Sequence, residues 1–135
     1  MTRRRSALGL FGRFGRSGDL RQLDEALKRV DLHPALVPEG AKLTIVNLMK
    51  DHAGEDEPPP HAYAGVAEIF GYCVLGPDAF GRVNGESAVR AAEERVEQAL
   101  EAEESFDAQL VLLALHARLI SPRVVELFGL SAEED

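Results

Sequence analysis

Residues 86–120, ESAVRAAEERVEQALEAEESFDAQLVLLALHARLI, decide the fold. In the first half Val89, Ala92, Val96, Ala99 and Leu100 recur at the spacing of one helical face. Glu86 with Arg90, and Arg90 with Glu94, are i,i+4 pairs that each add about 0.3 kcal/mol. The seam is narrow and made of small residues, which predicts an outer helix over 86–104. In the second half Leu110, Val111, Leu112, Leu113, Leu115, Leu119 and Ile120 cover most of a helical circumference. A helix apolar nearly all round belongs in the middle of a bundle or in a subunit interface. The expected helix is 106–120, as the central member. Ser121-Pro122 then opens a short helix over 123–128, which Gly129 closes.

Toward the N-terminus the same periodicity recurs. Tyr63, Val66, Phe70, Cys73 and Val74, with Ile69 beside them, form a helical stripe that Gly76-Pro77 is expected to stop. Ala64, Gly65, Ala67 and Gly71 are small, and glycine costs a helix about 1 kcal/mol relative to alanine. Two such residues at mid-helix predict close approach of a neighbour. A compact connection with Phe80 and the Asn84-Gly85 turn should follow. Residues 51–60, DHAGEDEPPP, read as a polar break ending in a short polyproline stretch. Pro38 is placed to open a helix through Leu43, Val46 and Lys50, although Thr44, Ile45 and Val46 in a row make a buried strand the competitor. Leu20, Leu23, Leu27 and Val30 predict a helix over 19–31, with Asp19 as N-cap and Gln22 three residues later. No internal repeat of fixed period is found. The fold expected is all-α, an irregular, orthogonal bundle of five to seven helices.

Charge divides the chain differently from hydrophobicity. Residues 1–21 hold six arginines against Asp19 alone, a balance of +5. The remainder carries nine basic against 22 acidic side chains, or −13, and together they give the −8 of the whole chain. Three parts follow: a basic amphipathic segment over 1–18, a helical domain over 19–130 and an acidic tail over 131–135. At 135 residues one core suffices. The lone cysteine, Cys73, excludes an intramolecular disulfide, so a cytoplasmic setting is the default. The apolar runs fall well short of the roughly 20 residues that a spanning helix needs. The opening, MTRRRSALGLFGRFGRSG, begins like an export signal. Arg13 and Arg16 interrupt its apolar stretch and no A-x-A site follows, so it is expected to be retained.

This segment is the first candidate site. Leu8, Leu10, Phe11 and Phe14 interleave with Arg3, Arg4, Arg5, Arg13 and Arg16 in the composition of a helix that meets a negative, partly apolar surface. Gly9, Gly12 and Gly15 weaken such a helix, so its ordering should need a partner. The partner expected is an acidic protein surface or the chain's own second subunit. An anionic membrane is the alternative, with membrane association through the same residues. Nucleic acid is disfavoured because a body at −13 repels phosphate.

A second group is Glu68, Gln109 and His116, polar side chains on otherwise apolar helices that would line a ligand pocket if they converged. The plainer reading makes His116 a hydrogen-bonded core residue and Glu68 the polar edge of its helix. Third, His52, Asp56 and His61 are weak metal candidates in an acidic stretch whose spacing matches no established metal loop. No metal or other cofactor is assigned, and no nucleophile elbow, Walker loop or zinc-protease signature is present. Cys73, on an apolar stripe without an adjacent base, reads as a packing residue. The function expected is a small, non-enzymatic interaction or regulatory module that works through its N-terminal segment; the alternatives are a peripheral binder of anionic membrane through the same segment and a small helical ligand-binding protein or enzyme with a site near Glu68 and His116.

Overall fold

A computed structural model describes residues 7–54 and 57–130, with side chains from residue 18 onward. The helices are α1 (Ala7–Arg29), α2 (Glu39–Ala53), α3 (Pro60–Asn84), α4 (Glu86–Glu101), α5 (Phe106–His116) and α6 (Pro122–Phe128), with a 3-10 turn at Pro34–Leu36. Six helices packed together lie within the expected range, and no strand occurs among the described residues.

The first helix does not start at Asp19. It starts at Ala7 and passes Gly9, Gly12, Gly15 and Gly18 without a break, so Asp19 is an interior helical residue, only 5% exposed. Helix physics accounts for the difference: nucleation is the costly step, and the half of α1 anchored by Leu23, Ala26 and Leu27 supplies the nucleus from which glycines are merely a tax on propagation. At the other end Asp31 takes the left-handed conformation (φ 71°), while the Leu32 N–H donates to the Leu27 carbonyl at 2.9 Å. The Asn84 side-chain amide donates to the Val30 carbonyl at 3.1 Å, tying the end of α1 to the end of α3.

The contest over residues 42–49 goes to the helix. Ala41, Ile45, Val46 and Met49 are buried at helical spacing, and the Thr44 hydroxyl turns outward to donate to the Gly40 carbonyl at 2.9 Å. The helix runs on to Ala53 and ends at Gly54, so the break expected from residue 51 begins three residues later.

The central member is α3, not α5. It packs against α1, α4, α5 and α6, and its 25 residues include the largest fully buried side chains, Tyr72, Phe70 and Phe80. Gly76 breaks the helix as expected (φ 87°, ψ 166°), but the chain resumes helically through Pro77 to Asn84 rather than forming a loose connection. Pro77 has no N–H to give the Cys73 carbonyl four residues earlier. The Ser121 N–H replaces it at 2.8 Å, and in this way the start of α6 docks on the break.

Gly71 permits the close approach of α1: a Cβ there would lie 2.8 Å from Val30 Cγ2. At Gly65 the expected crowding is absent, with open space around the missing Cβ. Helix α5 is shorter than predicted because Arg118 adopts φ 61° and the Leu119 and Ile120 N–H groups turn back to the Ala114 carbonyl. With only 11 residues, packed against α3, α4 and α2, it leaves Leu112 facing out at 44% exposure.

Candidate functional site

Two features of the fold bear on the N-terminal segment: the anchor that fixes the root of α1, and an apolar groove at the far end of α4. At the root, Tyr63 Oη donates to Asp19 Oδ1 at 3.0 Å. Lys50 Nζ stands 2.8 Å from Asp19 Oδ2, although it lacks the alignment of a hydrogen bond. The ammonium therefore serves as counter-charge, and one carboxylate joins α1 to α2 and α3. Burial first, then the hydrogen bond and the charge of Asp19, hold the Tyr63 phenol well above its ordinary pKa. Lys42 Nζ adds a second tie between α2 and α1 by donating to Asp24 at 3.0 Å.

The groove, about 390 Å³, is lined chiefly by Ala99, Leu100, Val111, Leu112, Leu115 and Leu130. Its position is set by Arg95, which locks α4 to α5. Nε and Nη2 donate to the two oxygens of Asp107 at 3.0 and 2.8 Å, and Nη1 donates to the Gly65 carbonyl of α3 at 2.8 Å. Ser105 caps α5 by accepting from the Ala108 N–H. Leu100 is 42% exposed, so the groove presents two large aliphatic side chains at its mouth. Glu103 lines it as well, and no basic residue occupies the last turn of α4.

The polar residues singled out from sequence do not converge. Glu68, Gln109 and His116 are all exposed; the expected core placement of His116 fails because α5 buries one side only, through Leu110, Val111, Ala114 and Leu115, and His116 lies off that side. Glu68 borders a cavity of about 230 Å³ with Ser87, Ala88, Ala91, Ala92 and Arg95. Gln109 borders another, about 220 Å³, with Asp51, His52 and Phe106, while His116 lines neither. His52 stacks on Phe106 with ring centroids 5.0 Å apart, and His61 is exposed in the first turn of α3. Asp56 lies outside the described residues, as do the side chains of Arg3, Arg4, Arg5, Leu10, Phe11, Arg13, Phe14 and Arg16. Among the described residues no three histidine, cysteine or acidic side chains gather as metal ligands would.

Cys73 is buried, and desolvation pushes its thiol up to about 12, the chemistry of a packing residue rather than a nucleophile. Tyr72 Oη donates to Glu93 at 2.9 Å, and burial with that bond raises its pKa as well. No helix of the described residues is long and apolar enough to cross a membrane. Comparisons of the chain with protein-family models, with curated proteins and with solved structures give no match.

The groove and the Arg95 fork were not among the residues marked from sequence. A signal for the first was present in the apolar excess of 106–120 together with four glutamates at positions 97, 101, 103 and 104. The fork joins positions 12 and 30 residues apart, and nothing in local spacing announces such a contact.

Proposed function

We propose that this chain is a non-enzymatic interaction module whose basic N-terminal helix engages an acidic protein surface, a second copy of the chain included. The observation that carries this reading is the continuity of α1. Residues Ala7 to Arg29 form one helix, and its second half is fixed in the domain through Leu23, Leu27 and the Asp19 anchor. The arginine and phenylalanine positions at 10–16 thus belong to an element whose base is rigid, which lowers the ordering cost of binding. A ligand-pocket function is less well supported, because Glu68, Gln109 and His116 are exposed and border different cavities or none.

The test is affinity capture by the immobilised full chain, compared with a variant in which Arg3, Arg4, Arg5, Arg13 and Arg16 are all glutamine. Bound protein should be acidic, should elute as salt rises above about 0.15 M, where charges beyond roughly 8 Å are screened, and should be lost in the variant. Equal capture by both chains contradicts the reading. So does retention on anionic vesicles alone, which would favour a membrane surface.

A further inference from the structure

The acidic end of α4 and the apolar groove beside it complement the N-terminal segment in both charge and character. We infer that the groove between α4, α5 and Leu130 is the receptor for the N-terminal helix of a second copy of this chain. This rests on the reading of residues 1–18 as the contact element and supplies the surface it contacts.

Consider first what the groove lacks. Leu100 and Leu112 are 42% and 44% exposed at its mouth, and its volume of about 390 Å³ lies within the roughly 300–1,000 Å³ of ordinary binding clefts. Glu103 lines it, and Glu97, Glu101 and Glu104 add further exposed negative charge at the C-terminal end of α4 and in the connection that follows. That end of a helix carries partial negative charge and favours cations, yet its last turn has none. The nearest arginine on α4, Arg95, is committed to Asp107 and Gly65. An occupant that fits must bring apolar side chains and positive charge together. Locally unfavourable chemistry of this kind is expected where a surface is built for a partner.

Two segments of the chain are available. The tail 131–135 follows Leu130 directly but contributes Glu133, Glu134 and Asp135, which the glutamates of the rim repel. Residues 1–21 carry +5, and Ala7, Leu10, Phe11 and Phe14 follow the i, i+3, i+4, i+7 spacing of one helical stripe. In helical register at about 100° per residue, positions 10, 11 and 14 fall on average about half a turn from positions 23 and 27, which α1 buries in its own core. The second apolar stripe of α1 is therefore out of line with the first and suits a different surface.

That surface belongs to another molecule. The anchored half of α1 packs on α2, α3 and the 3-10 turn, whereas the groove is built from α4, α5 and Leu130. A continuous helix advancing about 1.5 Å per residue extends in line with its anchored half and cannot bend back on itself. Exchange between two copies satisfies both grooves and closes as a twofold dimer.

Sedimentation velocity on the full chain and its charge-reversed variants tests this. The head variant carries Arg13→Glu and Arg16→Glu; the groove variant carries Glu101→Arg and Glu103→Arg; a third carries Leu112→Glu. Glu101, Glu103 and Leu112 are exposed, so these substitutions leave the core intact. The unmodified chain should dimerise, each variant alone should associate at least 10-fold more weakly, and an equimolar mixture of head and groove variants should recover a heterodimer. A chain that stays monomeric overturns the inference. Loss of the dimer in the head variant with no effect of the groove variants also overturns it, while leaving the head as a contact element. A dimer that forms but responds to neither set also overturns the inference, and the capture comparison then decides separately whether the head engages another acidic protein.

Discussion

Arg95 and Asp107 form a fork across α4 and α5: two guanidinium nitrogens meet two carboxylate oxygens at 2.8 and 3.0 Å. The third nitrogen reaches the Gly65 carbonyl, so one side chain fixes α4 and α5, which line the groove, to each other and to α3. Both side chains are a little over a quarter exposed, which weakens the pair relative to a fully buried one. Arg95→Ala should cost about 1–3 kcal/mol in urea unfolding, and Arg95→Lys most of that, since an ammonium has no fork. A double-mutant cycle with Asp107→Ala should give a coupling energy well above zero; additive effects would show the fork to be incidental.

The Asp19 anchor predicts an ordering. Tyr63→Phe removes one hydrogen bond and leaves the carboxylate with Lys50, so the loss should be about 1 kcal/mol. Asp19→Ala strands a buried phenol and should cost more, about 2–3 kcal/mol. Thermal melts decide it, at about 3–4 °C per kcal/mol for a domain of this size. If Tyr63→Phe proves the more harmful, the Tyr63 hydroxyl contributes otherwise than through Asp19.

Part of this architecture is legible in the chain and part is not. The stripes of 63–74 and 86–100, the Gly76 break and the Ser121 and Gly129 caps lie in local spacing, where apolar period and capping chemistry speak directly. Asp19 misled because a capping residue and an interior residue paired across 44 positions look alike until Tyr63 and Lys50 are placed in space. His116 misled through its neighbours: Leu112, Leu113 and Leu115 surround it in sequence, but 11 residues of α5 cannot bury a whole circumference. The same surplus that failed to make α5 central is what lines the groove.

Alkali should unfold this domain cooperatively. Tyr63, Tyr72 and Cys73 are protonated when buried, and each has a folded pKa raised above its ordinary value of 10.0, 10.0 or 9.0. The folded state then holds protons that the unfolded chain releases, so stability is full below about pH 9 and falls as pH rises through and beyond the ordinary values. Each group contributes a slope on the order of 1.4 kcal/mol per pH unit. Because the chain has two tyrosines and no tryptophan, tyrosinate absorbance reports on these residues alone. It should appear together with the loss of helical circular dichroism, and the thiol should resist disulfide reagents until then. Tyrosine ionisation in a fully helical protein near pH 10 would contradict the burial.

Gly71 and Gly65 should respond oppositely to alanine. At Gly71 the new methyl meets the stiff Val30 side chain, a clash worth about 1–3 kcal/mol that exceeds the helix-propensity gain and that Val30→Ala should relieve. At Gly65 there is room, and alanine should stabilise by about 0.5–1 kcal/mol. Chemical denaturation of the two variants and the Val30 double variant measures both signs.

Contact through the N-terminal helix is tested most directly by relaxation enhancement between copies. A spin label at position 10, introduced as Leu10→Cys while the buried Cys73 stays inert, is mixed with isotope-labelled, unmodified chain. Broadening of the amides of Leu100, Leu112 and Leu130 in the isotope-labelled copy is the predicted result. A self-associated sample in which those amides stay sharp, while others broaden or none do, contradicts it.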